Sequence, residues 1–269
     1  MLSLSETDLK NLILSVFSPG ANDKKLVIIV DVPDAQVPDH PKWQQRRVMA
    51  QDWRQKLSTI KSEIGLEEIE LLYYPNVHNN NADLPETAYK FTGSSENIDV
   101  STLSASGEPV NFLNQLSDAN IVIAPTQFSA TAPLKILAKK YGFRAATMPG
   151  FSADMIQALK LDYEEINQRV KKIKNFLDQS VKLDIKFKLE NNETYDVHFD
   201  LRHRTAHASG GRFPKPGVAG NLPSGESYIV PYEGEKGEKS ESFGILPVQY
   251  DDEIVLYQIE ENVAIKILS

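Results

Sequence analysis

The run Leu26-Val27-Ile28-Ile29-Val30 offers no polar position along its length. A strand with one solvated face alternates, so an unbroken apolar run implies a strand covered on both faces, the condition found inside a parallel sheet flanked by helices. Its neighbours fit that demand. Leu4 to Phe17 places Leu9, Leu12, Ile13 and Val16 on one stripe, with Ser5 as a cap, and Ser18-Pro19-Gly20 ends it. Trp43 to Ile64 puts Val48, Trp53, Leu57, Ile60 and Ile64 on its inward side, and Ile69 to Tyr74 is a second strand. A polar passage from Asn76 to Gly107 precedes a short helix at Asn111 to Ser117 and a third strand, Asn120 to Pro125. The next helix has Pro133 in its first turn and ends at Gly142, and Arg144 to Met148 is a fourth strand. Strand and helix alternate over residues 1–150, which predicts an α/β domain with a parallel sheet.

The pattern changes after Pro149-Gly150. Ala153 to Gln179 reads as one long helix, acidic early and basic late, so residues 151–180 are expected to connect two domains. Beyond residue 181 the period becomes two: Leu183, Ile185, Phe187 and Leu189 alternate, Asn191-Asn192 turns, and Tyr195, Val197 and Phe199 alternate back. Phe243 to Gln249, Ile254 to Ile259 and Val263 to Leu268 add strands, and Glu233 to Glu241 is a low-complexity, mobile tip. The expected fold class is α/β: an N-terminal parallel α/β domain (1–150), then a mainly antiparallel β-rich domain (181–269).

A net charge of −8 and a pI near 5.2 leave no basic face for nucleic acid. No apolar run is long enough for a membrane helix, and Glu6, Asp8 and Lys10 break the form of a signal peptide, so a cytoplasmic protein is expected. The absence of Cys excludes disulfides, thiolate zinc sites and Cys nucleophiles. No glycine-rich phosphate loop follows any strand, which argues against a nucleotide site.

Candidate site residues fall in four places. Asp31 and Asp34 end the first strand, where open parallel sheets build sites, although Asp beside Pro33 also reads as a turn. His78 follows the second strand in an exposed loop. Arg202-His203-Arg204-Thr205-Ala206-His207, with Arg212 beyond two glycines, is the densest donor cluster. His203 and His207 would suit a metal if helical, but the residues before them alternate as a strand and those after are Gly-rich; the arginines would suit an anion, and the bland alternative is a strand-to-loop passage with solvated charges. Finally, Gly220-Asn221-Leu222-Pro223-Ser224-Gly225 forces one loop shape and delivers Glu226 at the start of a strand. That is a placement for a metal ligand or general base, or for a solvated hairpin.

Phe199-Asp200-Leu201-Arg202, the Gly220 to Glu226 motif and Pro231 resemble the thermophilic-type dimetal aminopeptidases and a wider leucyl-aminopeptidase-like group, itself similar to the dihydroxypyridine ring-cleaving dioxygenases. Met148-Pro149-Gly150-Phe151, Asp162-Tyr163-Glu164 and Gly244-Ile245-Leu246-Pro247 support the resemblance. It implies a metal-dependent hydrolase releasing N-terminal amino acids from peptides, with zinc, cobalt or manganese as the cofactor and Glu226 as a metal ligand. Arg202, His203, Arg204, His207 and Arg212 would line the cleft. The alternatives are an iron-dependent ring-cleaving dioxygenase with a small-molecule substrate, holding ferrous iron, and a non-catalytic binding or assembly protein. A homodimer stands as a further expectation. The family's remaining ligands come later in the polypeptide, whereas here the last His is His207, so an incomplete metal site is expected. Glu226 is expected to face a cleft between the two domains, with Arg202, His203, Arg204 or His207 offsetting its charge if no metal does.

Overall fold

The computed structural model describes residues 3–268. By contact the chain divides into two compact units, Met1–Asn167 with Ser209–Gly225, and Gln168–Ala208 with Glu226–Ser269. The fold is mixed α/β, with a largely parallel sheet in the first unit and a separate antiparallel sheet in the second.

The first unit begins with α1 (Glu6–Phe17), which Ser5 and Asp8 close as a capping box: the Asp8 N–H donates to Ser5 Oγ, and the Ser5 N–H to Asp8 Oδ2. Next come β1 (Lys25–Val32), α2 (Pro41–Ile60) and β2 (Glu68–Pro75). The polar passage holds more structure than its composition shows: β3 (Thr87–Lys90), α3 (Val100–Ser106) and β4 (Glu108–Asn111) precede α4 (Phe112–Ser117). Then follow β5 (Ile121–Ala124), α5 (Thr131–Tyr141) and β6 (Arg144–Thr147). Where one long helix is expected, residues Ala153–Lys160 form a 3₁₀ helix and α6 (Tyr163–Leu177) starts afresh. Asp162 sets that break, because its Oδ1 accepts from the Glu164 and Glu165 N–H groups.

In the second unit β7 (Lys182–Lys188) and β8 (Thr194–Asp200) are an antiparallel hairpin. Further along lie β9 (His207–Ser209), β10 (Ala219–Asn221), β11 (Glu226–Tyr228), β12 (Phe243–Tyr250), β13 (Glu253–Glu260) and β14 (Val263–Ile267). Strands β14-β13-β12-β8-β7 make the antiparallel sheet, and β9 with β11 a two-stranded one. Strand β10 lies elsewhere. It pairs in parallel with β6 and completes a sheet of order β10-β6-β5-β1-β2-β3-β4, so residues 209–225 belong to the α/β unit.

The parallel sheet is covered on both faces, as the β1 run demands. Leu26, Ile28 and Val30 join the Trp53 and Leu57 face of α2 in one core, while Val27 and Ile29 join Leu134 and Ala138 of α5 in the other. Among the described residues no helix is long and apolar enough to cross a membrane.

Candidate functional site

In the α/β unit the chain leaves β1 for α2 on one face of the sheet and β5 for α5 on the other. Adjacent carboxyl ends whose connections part in this way form the crevice where open α/β sheets bind ligands. Here Asp31 fills it. Its buried carboxylate accepts from the Gln127 N–H (2.7 Å), the Phe128 N–H (2.9 Å) and the Trp43 indole N–H (3.0 Å). Burial pushes this carboxyl up from its ordinary range, against the opposing pull of the two backbone donors and of Arg46. Arg46, lowered by burial to about 10, reaches past it to the Phe151 carbonyl and the Gln127 side chain. Asp31 is thereby fully engaged in tying the β1 and β5 loops together.

Beside it the strand ends carry a second polar group. His78, in the left-handed region at φ 60°, is paired through Nε2 with Asp34 Oδ2 at 2.6 Å, so it is anchored and not a free loop side chain. Asn81 Oδ1 accepts from Ser129 Oγ and the Ala132 N–H, and Asn80 Oδ1 accepts from the Ser129 N–H. Thr131 and Thr147 both reach Asn221 Oδ1, at 3.0 and 2.8 Å. Ser129 and Thr131 stand out in the sequence as polar residues crowding the end of β5; Thr147 and Asn221 do not, because only the pairing of β10 with β6 brings them there.

Gly220 sits on β10, where a Cβ would lie 2.7 Å from the Phe213 ring. Asn221 binds the two threonines, Leu222 is buried, and Ser224 Oγ meets Ser209 Oγ at 2.7 Å. Gly225 lies against Ile166, at 3.3 Å from a built Cβ. Glu226 then stands exposed at the first position of β11, and no described residue gives its carboxylate a hydrogen bond or ion pair.

The expected offsetting cations are engaged elsewhere. Asp200, buried at the end of β8, accepts from the Arg202 guanidinium and backbone and from the Glu241 N–H, and Arg202 holds its carboxyl far below the usual range. Arg202 also pairs with Glu241 (2.9 Å), Arg204 with Glu235 (2.5 Å), and His203 with Glu238 (3.6 Å). The acidic segment 233–241 is therefore pinned by ion pairs, and Arg202, Arg204 and His203 are committed to it and not to Glu226. His203 occupies a turn at φ 63° with its ring edge-on to buried Tyr232, and His207 lies on β9 stacked on Tyr228 at 5.0 Å. The two histidines share no helix, so the i, i+4 metal geometry does not arise. Arg212 belongs to the other unit, where it donates to the Ser15 carbonyl and pairs with Glu164.

Two solved structures match this fold along nearly the whole chain. The 2,5-dihydroxypyridine dioxygenase from Pseudomonas putida KT2440 matches with a TM-score of 0.57 at 15% identity, over 98% of this chain and 68% of that one. Wild-type AmpT from Thermus thermophilus matches with a TM-score of 0.51 at 10% identity, over 97% and 70%. The chain shares their fold. No protein-family model matches it, and no curated protein matches it in sequence. At these identities the likeness is one of fold alone.

A catalytic ion with an open position takes about three protein ligands. Among the described residues no group of three or more His, Asp or Glu is placed to hold an ion. Glu226 fits a single ligand position; the residues around it do not complete a coordination sphere.

Proposed function

We propose that the chain is an aminopeptidase-like hydrolase component acting on the N-termini of peptides, with Glu226 as one ligand of a divalent metal site that the described residues do not complete. One observation carries this reading. In the Gly220 to Gly225 stretch both glycines and the polar residues Asn221 and Ser224 have a packing or hydrogen-bonding task, and Glu226, which they deliver, has none. Carboxylates at the start of a rigid strand, left without a partner, are suited to bind something that is not part of the fold. The resemblance of this motif to the dimetal aminopeptidases and the fold shared with AmpT support the choice. The fold shared with the dioxygenase supports a second reading, ring cleavage of a dihydroxy-aromatic compound with ferrous iron.

The test uses the full polypeptide in which these residues occur, purified from its host. Release of p-nitroaniline from amino-acid anilides is measured with zinc, cobalt or manganese, and ring opening of dihydroxypyridine with ferrous iron and dioxygen. Metal-dependent anilide hydrolysis is expected, reduced at least about tenfold by Glu226→Gln, while the melting temperature stays put because an exposed, unpartnered side chain contributes within about 0.5 kcal/mol. Ring opening without hydrolysis would transfer the assignment to the second reading. Neither activity, or full activity in Glu226→Gln, would overturn the proposal.

A further inference from the structure

The α/β unit has a second cavity, lined by residues of α2, β2, β3 and β4. Strands β2 and β3 pair only at Tyr73 with Tyr89, although β3 continues into a four-pair ladder with β4. Below that single pair the two strands part, and α2 passes over the fork. The opening encloses about 320 Å³, within the size range of small-molecule sites.

Its walls are fixed by ring contacts and hydrogen bonds. Leu71 and Tyr73 form the floor, and the Phe91 ring stands edge-on to Tyr73, with 6.0 Å between centroids and 89° between planes. Gly93 allows that ring position, since a Cβ there would lie 2.3 Å from it. Gln51 of α2 holds the loop in place: its Nε2 donates to the Gly93 carbonyl (3.0 Å), and its Oε1 accepts from the Ser95 N–H (3.2 Å). The charges at the rim are unequal. Glu70 is neutralised by Lys25 and Lys90, and Lys90 is raised by that pairing. Arg54, by contrast, has no ion-pair or side-chain hydrogen-bond partner among the described residues, yet its charge is near enough to Tyr73 to act on the phenol. Glu108, also at the rim and opposite Lys90 on which its charge acts, would repel a second negative charge on a ligand.

We propose that this fork binds a small monocarboxylate with a flat or branched apolar body, its carboxylate on Arg54 and its body between Leu71 and Phe91. A guanidinium offers two parallel donors to a carboxylate, and the parted strands offer an apolar slot of matching size. The inference is independent of any role for Glu226, so either can fail alone.

The probe is hydrocinnamate, titrated into ¹⁵N-labelled protein and followed by amide chemical shifts. Saturable shifts centred on residues 51–55 and 91–93 are expected. Hydrocinnamyl alcohol, which lacks the charge, and propionate, which lacks the body, should each bind at least about tenfold more weakly. Arg54→Gln, an exposed substitution, should bring hydrocinnamate down to the level of the alcohol while leaving the remaining spectrum in place. Glu108→Gln should bind at least as tightly as wild type. Absence of saturation, shifts centred elsewhere, or equal binding by Arg54→Gln would each overturn the proposal.

Discussion

Replacing Asp31 by Asn changes one atom at the best-buried carboxylate of the α/β unit and should be felt throughout that unit. The carboxylate accepts three hydrogen bonds, two of them from backbone N–H groups of the loop after β5. Asparagine keeps the volume and one acceptor oxygen, but its amide turns a donor against a donor. One backbone N–H is left orphaned in a dry site, which costs about 1–3 kcal/mol. Alanine would orphan both, at roughly 2–6 kcal/mol before allowing for the release of a buried charge, while the indole N–H keeps the Asp31 carbonyl at 3.0 Å. The asparagine variant is the more informative because it leaves no cavity.

The pH dependence separates this account from a simple packing defect. Burial raises the folded-state Asp31 carboxyl above the unfolded value of about 3.9. The folded chain therefore holds this proton at pH values where the unfolded chain has lost it, and the stability due to Asp31 falls as pH rises through the folded value. Asparagine lacks that slope. The gap between wild type and Asp31→Asn should be widest near pH ~4 and should narrow towards pH ~7. Urea titrations followed by tryptophan emission read it cleanly, because Trp43 and Trp53 are the only tryptophans and both lie in the α/β unit. A variant within about 0.5 kcal/mol of wild type at both pH values, or a gap that widens with pH, would refute the reasoning.

Two further substitutions probe the β unit. Gly244 has φ 134°, and a Cβ on it would lie 2.3 Å from the Asp196 carbonyl, so Gly244→Ala should cost about 1–3 kcal/mol from the backbone alone and more from the clash. Hydrogen exchange should show faster opening of β8 and β12 amides with the α/β unit unaffected, and unchanged protection would count against the close strand approach. Asp200→Asn weakens the grip on Arg202 and the Glu241 N–H; because Arg202 lowers the Asp200 carboxyl, its stabilisation is present above the ordinary aspartate range and lost as pH falls through it. The variant should therefore be weaker than wild type at neutral pH and converge with it in acid, as checked by paired thermal melts; parallel curves would contradict the pairing.

The parts of this fold that the sequence reveals are those in which local chemistry and tertiary demand coincide. The β1 run, the Ser5 cap of α1, the Gly142 stop of α5 and the alternating strands after residue 181 each carry their own signal. The four-residue strands β3 and β4 do not, because they are too short to show a period and are held by each other. Strand β10 is hidden for a stronger reason. Ala219-Gly220-Asn221 has no strand preference, and only its pairing with β6 makes it one. The site was legible in the same uneven way. The acidic segment 233–241 complements Arg202-His203-Arg204 in charge, which is visible in the sequence as two opposite clusters, but only the structure shows that they neutralise each other.

That neutralisation changes the weight of the motif around Glu226. A cluster of arginines and histidines near a conspicuous carboxylate invites the idea that they serve one another. In the structure each of Arg202, Arg204 and His203 already has an acidic partner, so none is held in reserve for Glu226. An exposed carboxylate stays hydrated at little cost and requires no such partner. Its isolation is therefore stable as it stands, and the rigid turn that presents it is built from contacts that would persist if the side chain were removed. The turn belongs to the fold, whereas the carboxylate is free to bind a ligand.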